Sequence, residues 1–145
     1  MNPPSNDHRY EDIAVGAKVG HDYVIDAVVY QRFLEAFHDF SPVHVDENHA
    51  RAAGFAGCVM HGAQLNGFLS HFVGMIFPGR RSLLLAVDLR YLKPSFLGNK
   101  LHLAAEVTQK LDAKRVIVLD VSFQNQTCNT VVARGRVQVM LREQP

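Results

Sequence analysis

Residues 62–79 read GAQLNGFLSHFVGMIFPG, with glycines at 62, 67 and 74, and the folding of this stretch decides the architecture. Apolar residues cover most of its helical circumference, and a helix that is apolar nearly all round is buried nearly all round. Its most apolar part, Phe68 to Phe77, is interrupted by Ser70, His71 and Gly74 and is too short to span a bilayer. It predicts a core helix. Downstream the period changes: SLLLAVDLRYL, KLHLAAEVTQKL, RVIVLDVSFQNQ and TVVARGRVQVML are β-rich runs, separated by turn signals at PSFLGN, LDAK and NQTCN. An antiparallel meander after one buried helix predicts an α+β domain. A curved sheet wraps the central helix, and the inner face of the sheet supplies the burial.

Upstream, Met1 to Arg9 is polar, carries two prolines and has no periodicity, which predicts a flexible tail and a single domain over residues 10–145. Lys18 to Val24 predicts a first strand. Asp26 is an N-cap candidate for AVVYQRFLEAFHD, where Val29, Phe33, Ala36 and Phe37 fall at helical spacing. Asp39 sits at the end of that helix. Asp46 caps a second helical signal, ENHARAAGF, which stops at Gly54. GCVM, residues 57–60, is a brief extended run.

With 145 residues the chain makes one domain with a real core. A formal net charge of +1 with 48% hydrophobic and 20% charged residues gives no electrostatic reason to expect nucleic acid or a membrane as partner. Cys58 and Cys128 stand far apart without CxxC spacing, and MNPPSNDHRYEDI lacks a basic-then-apolar signal. Both features point to the cytoplasm.

The chemistry gathers at HDFSPVH, residues 38–44. An acid, Asp39, and a base, His44, lie five residues apart across Ser41 and Pro42. Proline excludes a regular helix between them and predicts a loop that aims both side chains at one water. Gly62 begins the core helix, where unpaired backbone N–H groups and the dipole can hold a carbonyl oxygen gaining negative charge. Together these parts suit adding water to, or removing it from, an acyl group with a polarised carbonyl, as in an enoyl thioester.

DFSPVH with Ala50, MHGAQLNGFLS, DLRYLKPSFLGNKL and FQNQ…VVARGRVQVML resemble the MaoC-like dehydratases, whose (R)-specific enoyl-CoA hydratases are hot-dog proteins. The resemblance covers residues 10 to 142. It implies the hot-dog fold, commonly as a homodimer, and (R)-specific hydration of trans-2-enoyl thioesters or dehydration of (R)-3-hydroxyacyl thioesters. The carrier would be coenzyme A or acyl carrier protein, and the reaction needs no redox cofactor or metal. By position, Asp39 and His44 look like the catalytic pair, with Asp39 mainly as base and His44 orienting and returning a proton. Gly62 looks like the oxyanion donor, and Ser70 is similar to a hydroxyl that supports the pair. Ser41, Val59, His61 and Leu65 are the residues expected around the substrate. The family usually reads GDxNPxH; here Phe37-His38 and Ser41 depart from it, which bears on the substrate.

Other readings stand beside these. His61 reads as a ring that sets the turn before Gly62 rather than a third base. Ser70 could bond back to a carbonyl one turn earlier. No HExxH or clustered Cys/His spacing supports a metal. Arg51, Arg80, Arg81 and Lys93 are candidate phosphate contacts. A hot-dog thioesterase would suit RYLKPSFLGNKL too, but no Asp or Glu occurs between Val59 and Val87 to act from the central helix. A non-catalytic acyl-binding or subunit-pairing module is the remaining alternative.

Overall fold

The computed structural model describes residues 3–143. Five strands, β1 (Lys18–Val24), β2 (Ser82–Tyr91), β3 (Lys100–Leu111), β4 (Val116–Asn125) and β5 (Thr130–Leu141), form one antiparallel sheet in the order β1-β3-β4-β5-β2. The three central strands follow one another in sequence because each hairpin turn is chemically easy. Arg115 and Asn129 take positive φ in the two turns, at the LDAK and NQTCN signals.

Between β1 and β2 run four helices: α1 (Ala27–Phe37), α2 (Pro42–Val45), α3 (Glu47–Ala52) and α4 (Ala63–His71). A π-helical turn at Phe72–Ile76 extends α4. The sheet curves around α4. Leu65, Phe68, Leu69, Phe72 and Val73 recur at the spacing of one helical face and are all buried. They meet Leu101, Leu103, Ala105 and Val107 of β3, Ile117, Leu119, Val121 and Phe123 of β4, and Val137 and Val139 of β5 in one core. Alternation along each strand puts these residues on the inner face. This is the hot-dog arrangement that the sequence implies.

Two local expectations are corrected. The central helix is not buried all round: Asn66, Gly67, Ser70 and His71 are exposed, because the sheet wraps only one side of it. Pro42 does not forbid a helix between the acid and the base; it begins one, at the first position of α2, where a missing N–H costs nothing and the fixed φ suits the turn. His44 therefore stands on a short helix, with Asp39 on the turn before it.

The segment ahead of Tyr10 is docked over its described part. Asn6 donates its N–H to Met75 O at 2.9 Å, His8 donates its N–H to Pro78 O at 3.1 Å, and Asp7 pairs with Arg81. Gly79 makes this approach possible, since a Cβ there would lie 2.0 Å from Asn6 O at a φ of +95°. Met1 and Asn2 of the expected tail, and residues 144–145 of the expected domain, lie outside the described residues.

Candidate active site

Asp26 caps α1 by accepting the Val29 N–H at 2.8 Å, and α1 ends at Phe37 with His38 in the left-handed region at φ 54°. Asp39 follows that reversal. A left-handed residue is what glycine most readily supplies, so the glycine of the usual family pattern has a conformational counterpart here in His38. Phe37 turns outward and packs on Phe33, with ring centroids 4.6 Å apart. Ser41 contributes through its backbone: its N–H donates to Asp39 Oδ1 at 3.3 Å, a local turn that orients the carboxylate.

His44 Nδ1 lies 2.6 Å from Val59 O. A carbonyl only accepts, so Nδ1 carries the hydrogen and the lone pair of the neutral ring sits on Nε2. That Nε2 faces Asp39 Oδ2 at 3.9 Å. The gap is too long for a direct hydrogen bond and short enough for one water to touch both groups.

Val59, expected to face the substrate, also acts as the carbonyl that fixes this tautomer, while its N–H donates to Val43 O at 3.0 Å. The Tyr30 hydroxyl lies 2.7 Å from His44 O and 3.0 Å from Val59 O. Burial, and after it the nearby Cys58, push the Tyr30 phenol up to about 12, so it stays a donor at every working pH. Sequence reasoning missed Tyr30. Its position on the inner side of α1, one residue after Val29, was the available signal.

His61 is buried, with 3% of its surface exposed. Its Nε2 donates to Asp39 O at 2.8 Å, its Nδ1 faces the Gln64 amide at 3.4 Å, and its ring stacks on His44 with centroids 3.8 Å apart. It braces both members of the pair. Asp39, His44 and His61 bring ligand atoms within 4.8 Å of one another. Both ring nitrogens of His61 are nevertheless committed, which leaves that set with two ligands rather than three.

Gly62 precedes α4 as its N-cap, in helical conformation and without a side-chain cap; Gln64 N–H and Leu65 N–H donate to His61 O and Gly62 O at 3.0 Å, which leaves the Gly62 and Ala63 N–H groups without a backbone acceptor among the described residues. A Cβ on Gly62 would lie 3.1 Å from the Tyr91 ring. Tyr91 thus covers the helix start, and its hydroxyl accepts from Asn66 Nδ2 at 3.1 Å. His44, Val59, Gly62, Leu65, Tyr91, Lys93 and Ser95 share the wall of a hollow of about 340 Å³.

His44 also lines a larger hollow of about 810 Å³. Leu34, Phe40, Val45, Cys58, Phe96 and Leu97 line it. His44 is common to both hollows, so a ligand spanning them passes the imidazole. Ser70 is not part of this group: it lies on the exposed side of α4, two turns beyond Gly62. Among the candidate cations, Arg51 pairs with Glu47 and Arg81 with Asp7, while Lys93 reaches the smaller hollow.

The chain is similar in sequence and fold to several known proteins. The (R)-specific enoyl-CoA hydratase of Aeromonas caviae is 28% identical over 109 residues, covering 75% of this chain and 81% of that protein. The (R)-specific enoyl-CoA hydratase of Rhodospirillum rubrum is 26% identical over 137 residues, covering 92% of each. The solved R-hydratase PhaJ1 from Pseudomonas aeruginosa, in its unliganded form, superposes with a TM-score of 0.85 at 27% identity, over 93% of this chain and 86% of that one. The sequence model of the MaoC like domain matches residues 15–128, a span that holds Asp39, His44 and Gly62, and the chain belongs to the MaoC-like family.

Proposed function

We propose that this protein is a hydro-lyase that adds water in the (R) sense to trans-2-enoyl thioesters and, in reverse, dehydrates (R)-3-hydroxyacyl thioesters. Its named relatives are (R)-specific enoyl-CoA hydratases, and related dehydratases act on a 3-hydroxyacyl-[acyl-carrier-protein] or on 3-hydroxybutyryl-CoA. The supporting observation is the placement of an imidazole and a helix start on the wall of one hollow, with the Asp39 carboxylate 3.9 Å from the lone-pair nitrogen of that imidazole.

In the hydration direction the thioester carbonyl binds at the Gly62 N–H, and C3 lies at the water held between Asp39 and His44. The water oxygen bonds to C3 while one of its protons passes to His44 Nε2. Electrons of the double bond move onto the carbonyl oxygen, where the helix start stabilises the developing enolate. His44 then returns its proton to C2 on the same face. The tautomer therefore favours His44 as the proton carrier, with Asp39 remaining a carboxylate that orients the water and stabilises the imidazolium. This reverses the division of labour expected from the sequence.

Apolar lining suits the larger hollow to the acyl chain, which leaves the carrier arm on the Tyr91 and Lys93 side. The carrier is coenzyme A or acyl carrier protein, and the reaction places the protein in fatty-acid metabolism. No cofactor takes part in these steps. No described helix is long and apolar enough to cross a membrane.

The protein acts as a homodimer in this proposal. The uncovered face of α4, with Ser70, and the exposed Leu83, Leu85 and Val87 of edge strand β2 are surfaces a second copy would cover. Any support from Ser70 would come through that contact.

Loss of conjugated-thioester absorbance with crotonyl-CoA and longer 2-enoyl-CoAs tests the proposal. Asp39→Asn and His44→Ala should each lower kcat/KM by roughly 100- to 10,000-fold in folded protein, and the product should be the (R)-alcohol. Release of free thiol without hydration would replace the proposal with thioester hydrolysis, and binding without turnover would replace it with a non-catalytic acyl-binding role.

A further inference from the structure

Ser95 lies in the loop between β2 and β3, only 3% exposed, and its Oγ has no hydrogen-bond partner among the described residues. That is unusual for a serine. A short hydroxyl ordinarily turns to a nearby carbonyl, and burial without a partner is costly. Ser95 also forms part of the wall of the smaller hollow, together with His44, Gly62 and Leu65.

Its backbone is tied to the segment that leads into the helix start. Met60 N–H donates to Ser95 O at 2.8 Å, and the neighbouring Phe96 forms an isolated bridge with Val59. On the far side Phe96 N–H donates to Asn99 Oδ1 at 2.9 Å. Ser95 and Gly62 thus stand on one rigid support, two residues of chain beyond the Met60 hydrogen bond. The helix start offers an N–H to a carbonyl oxygen, and that oxygen has a second lone pair to satisfy.

We propose that Ser95 Oγ–H is the second donor to the thioester carbonyl oxygen, acting beside the Gly62 N–H. The proposal rests on the hydration function above and adds a substrate-contacting residue to it. A hydroxyl held ready for this oxygen gains most when negative charge collects there, so its effect falls on the enolate-like transition state more than on substrate binding.

Acetoacetyl-CoA is a suitable probe, because loss of its C2 proton places the charge on the same oxygen without any turnover. The full-length wild type, Ser95→Ala, Ser95→Cys and Ser95→Thr are each saturated with acetoacetyl-CoA, and the bound enolate is read from its ultraviolet absorbance across pH. Ser95→Ala should lower the enolate-to-ketone ratio about tenfold, Ser95→Thr should retain it, and affinity for saturated butyryl-CoA should change by less than about twofold. Thermal unfolding should show no loss of stability in Ser95→Ala, since the removed hydroxyl has no partner among the described residues; Ser95→Cys, with a weak S–H donor, should lower the enolate ratio as Ser95→Ala does.

Equal enolate ratios in wild type, Ser95→Ala and Ser95→Cys would overturn the role of Ser95, whatever the hydration assay gives. A Ser95-dependent enolate ratio in a protein that fails to hydrate any 2-enoyl thioester would keep the carbonyl contact and overturn the hydration function instead.

Discussion

The Tyr30 hydroxyl has one proton and two carbonyls within reach, His44 O and Val59 O. Both belong to the support of the imidazole. Tyr30→Phe removes that donor while leaving the ring, and should cost about 1–2 kcal/mol of stability. In the proposed enzyme it should also lower kcat about tenfold with little change in KM, because the His44 ring loses its fixed aim. Urea unfolding and steady-state kinetics check the two parts separately. Gly62 faces a different constraint. A Cβ there meets the Tyr91 ring at 3.1 Å, so Gly62→Ala should lower kcat/KM by roughly tenfold or more, the effect of a misplaced oxyanion donor. Adding Tyr91→Ala should recover part of the loss, and a double-mutant cycle on kcat/KM measures the recovery. If the second substitution restores nothing, crowding by Tyr91 is not the cause.

At the scale of elements, the central helix carries a histidine whose environment makes it a reporter of packing. His71 accepts or donates at Nδ1 with the Tyr23 hydroxyl at 3.0 Å, and its ring lies 5.9 Å from that of His21. Partial desolvation of the ring where it packs beside Tyr23, and after it the charge of His21, hold its pKa below the ordinary 6.5. Protonation is therefore harder in the folded chain than in the unfolded one, and the unfolded state binds more protons just below pH 6.5. Stability should rise as the pH approaches 6.5 from below and flatten above it. His71→Gln should remove much of that slope in urea midpoints measured across this range. The elements were also the most legible level of the sequence. Asp26, Asp46 and the β-rich runs mark their own helices and strands, because caps and alternation are local chemistry. Pro42 was misread, since proline interrupts a helix or begins one depending on where the chain comes from. Here it comes from the left-handed His38 and the extended Ser41.

For the whole molecule, the sheet covers one side of α4 and leaves the other open, and β2 is an edge strand with exposed leucines. Light scattering of the purified protein should give twice the chain mass. Leu85→Lys, on a side chain exposed in one chain, should shift it toward the monomer without unfolding it. Loss of hydration together with the loss of pairing would link the α4 face, and Ser70 on it, to activity. An unchanged dimer in Leu85→Lys would place the contact elsewhere.

The chain by itself determined the core helix, the hot-dog meander and the candidates for the chemistry, because periodicity, caps and the D-x-x-P-V-H spacing are written in neighbouring positions. The partners of those residues were decided only in three dimensions. Val59 O fixes the tautomer of His44, Asp39 O holds His61, and the Tyr91 ring rests on Gly62; each joins segments 15 or more residues apart. Ser70 and Ser95 make the same point in opposite directions. The first stands on a helix read as buried nearly all round, yet the sheet leaves it exposed, and nothing local marked the second, which folding buries at the hollow beside Gly62. Side-chain type is a property of the sequence, but burial and hydrogen-bond partnership depend on which distant segments the fold packs together.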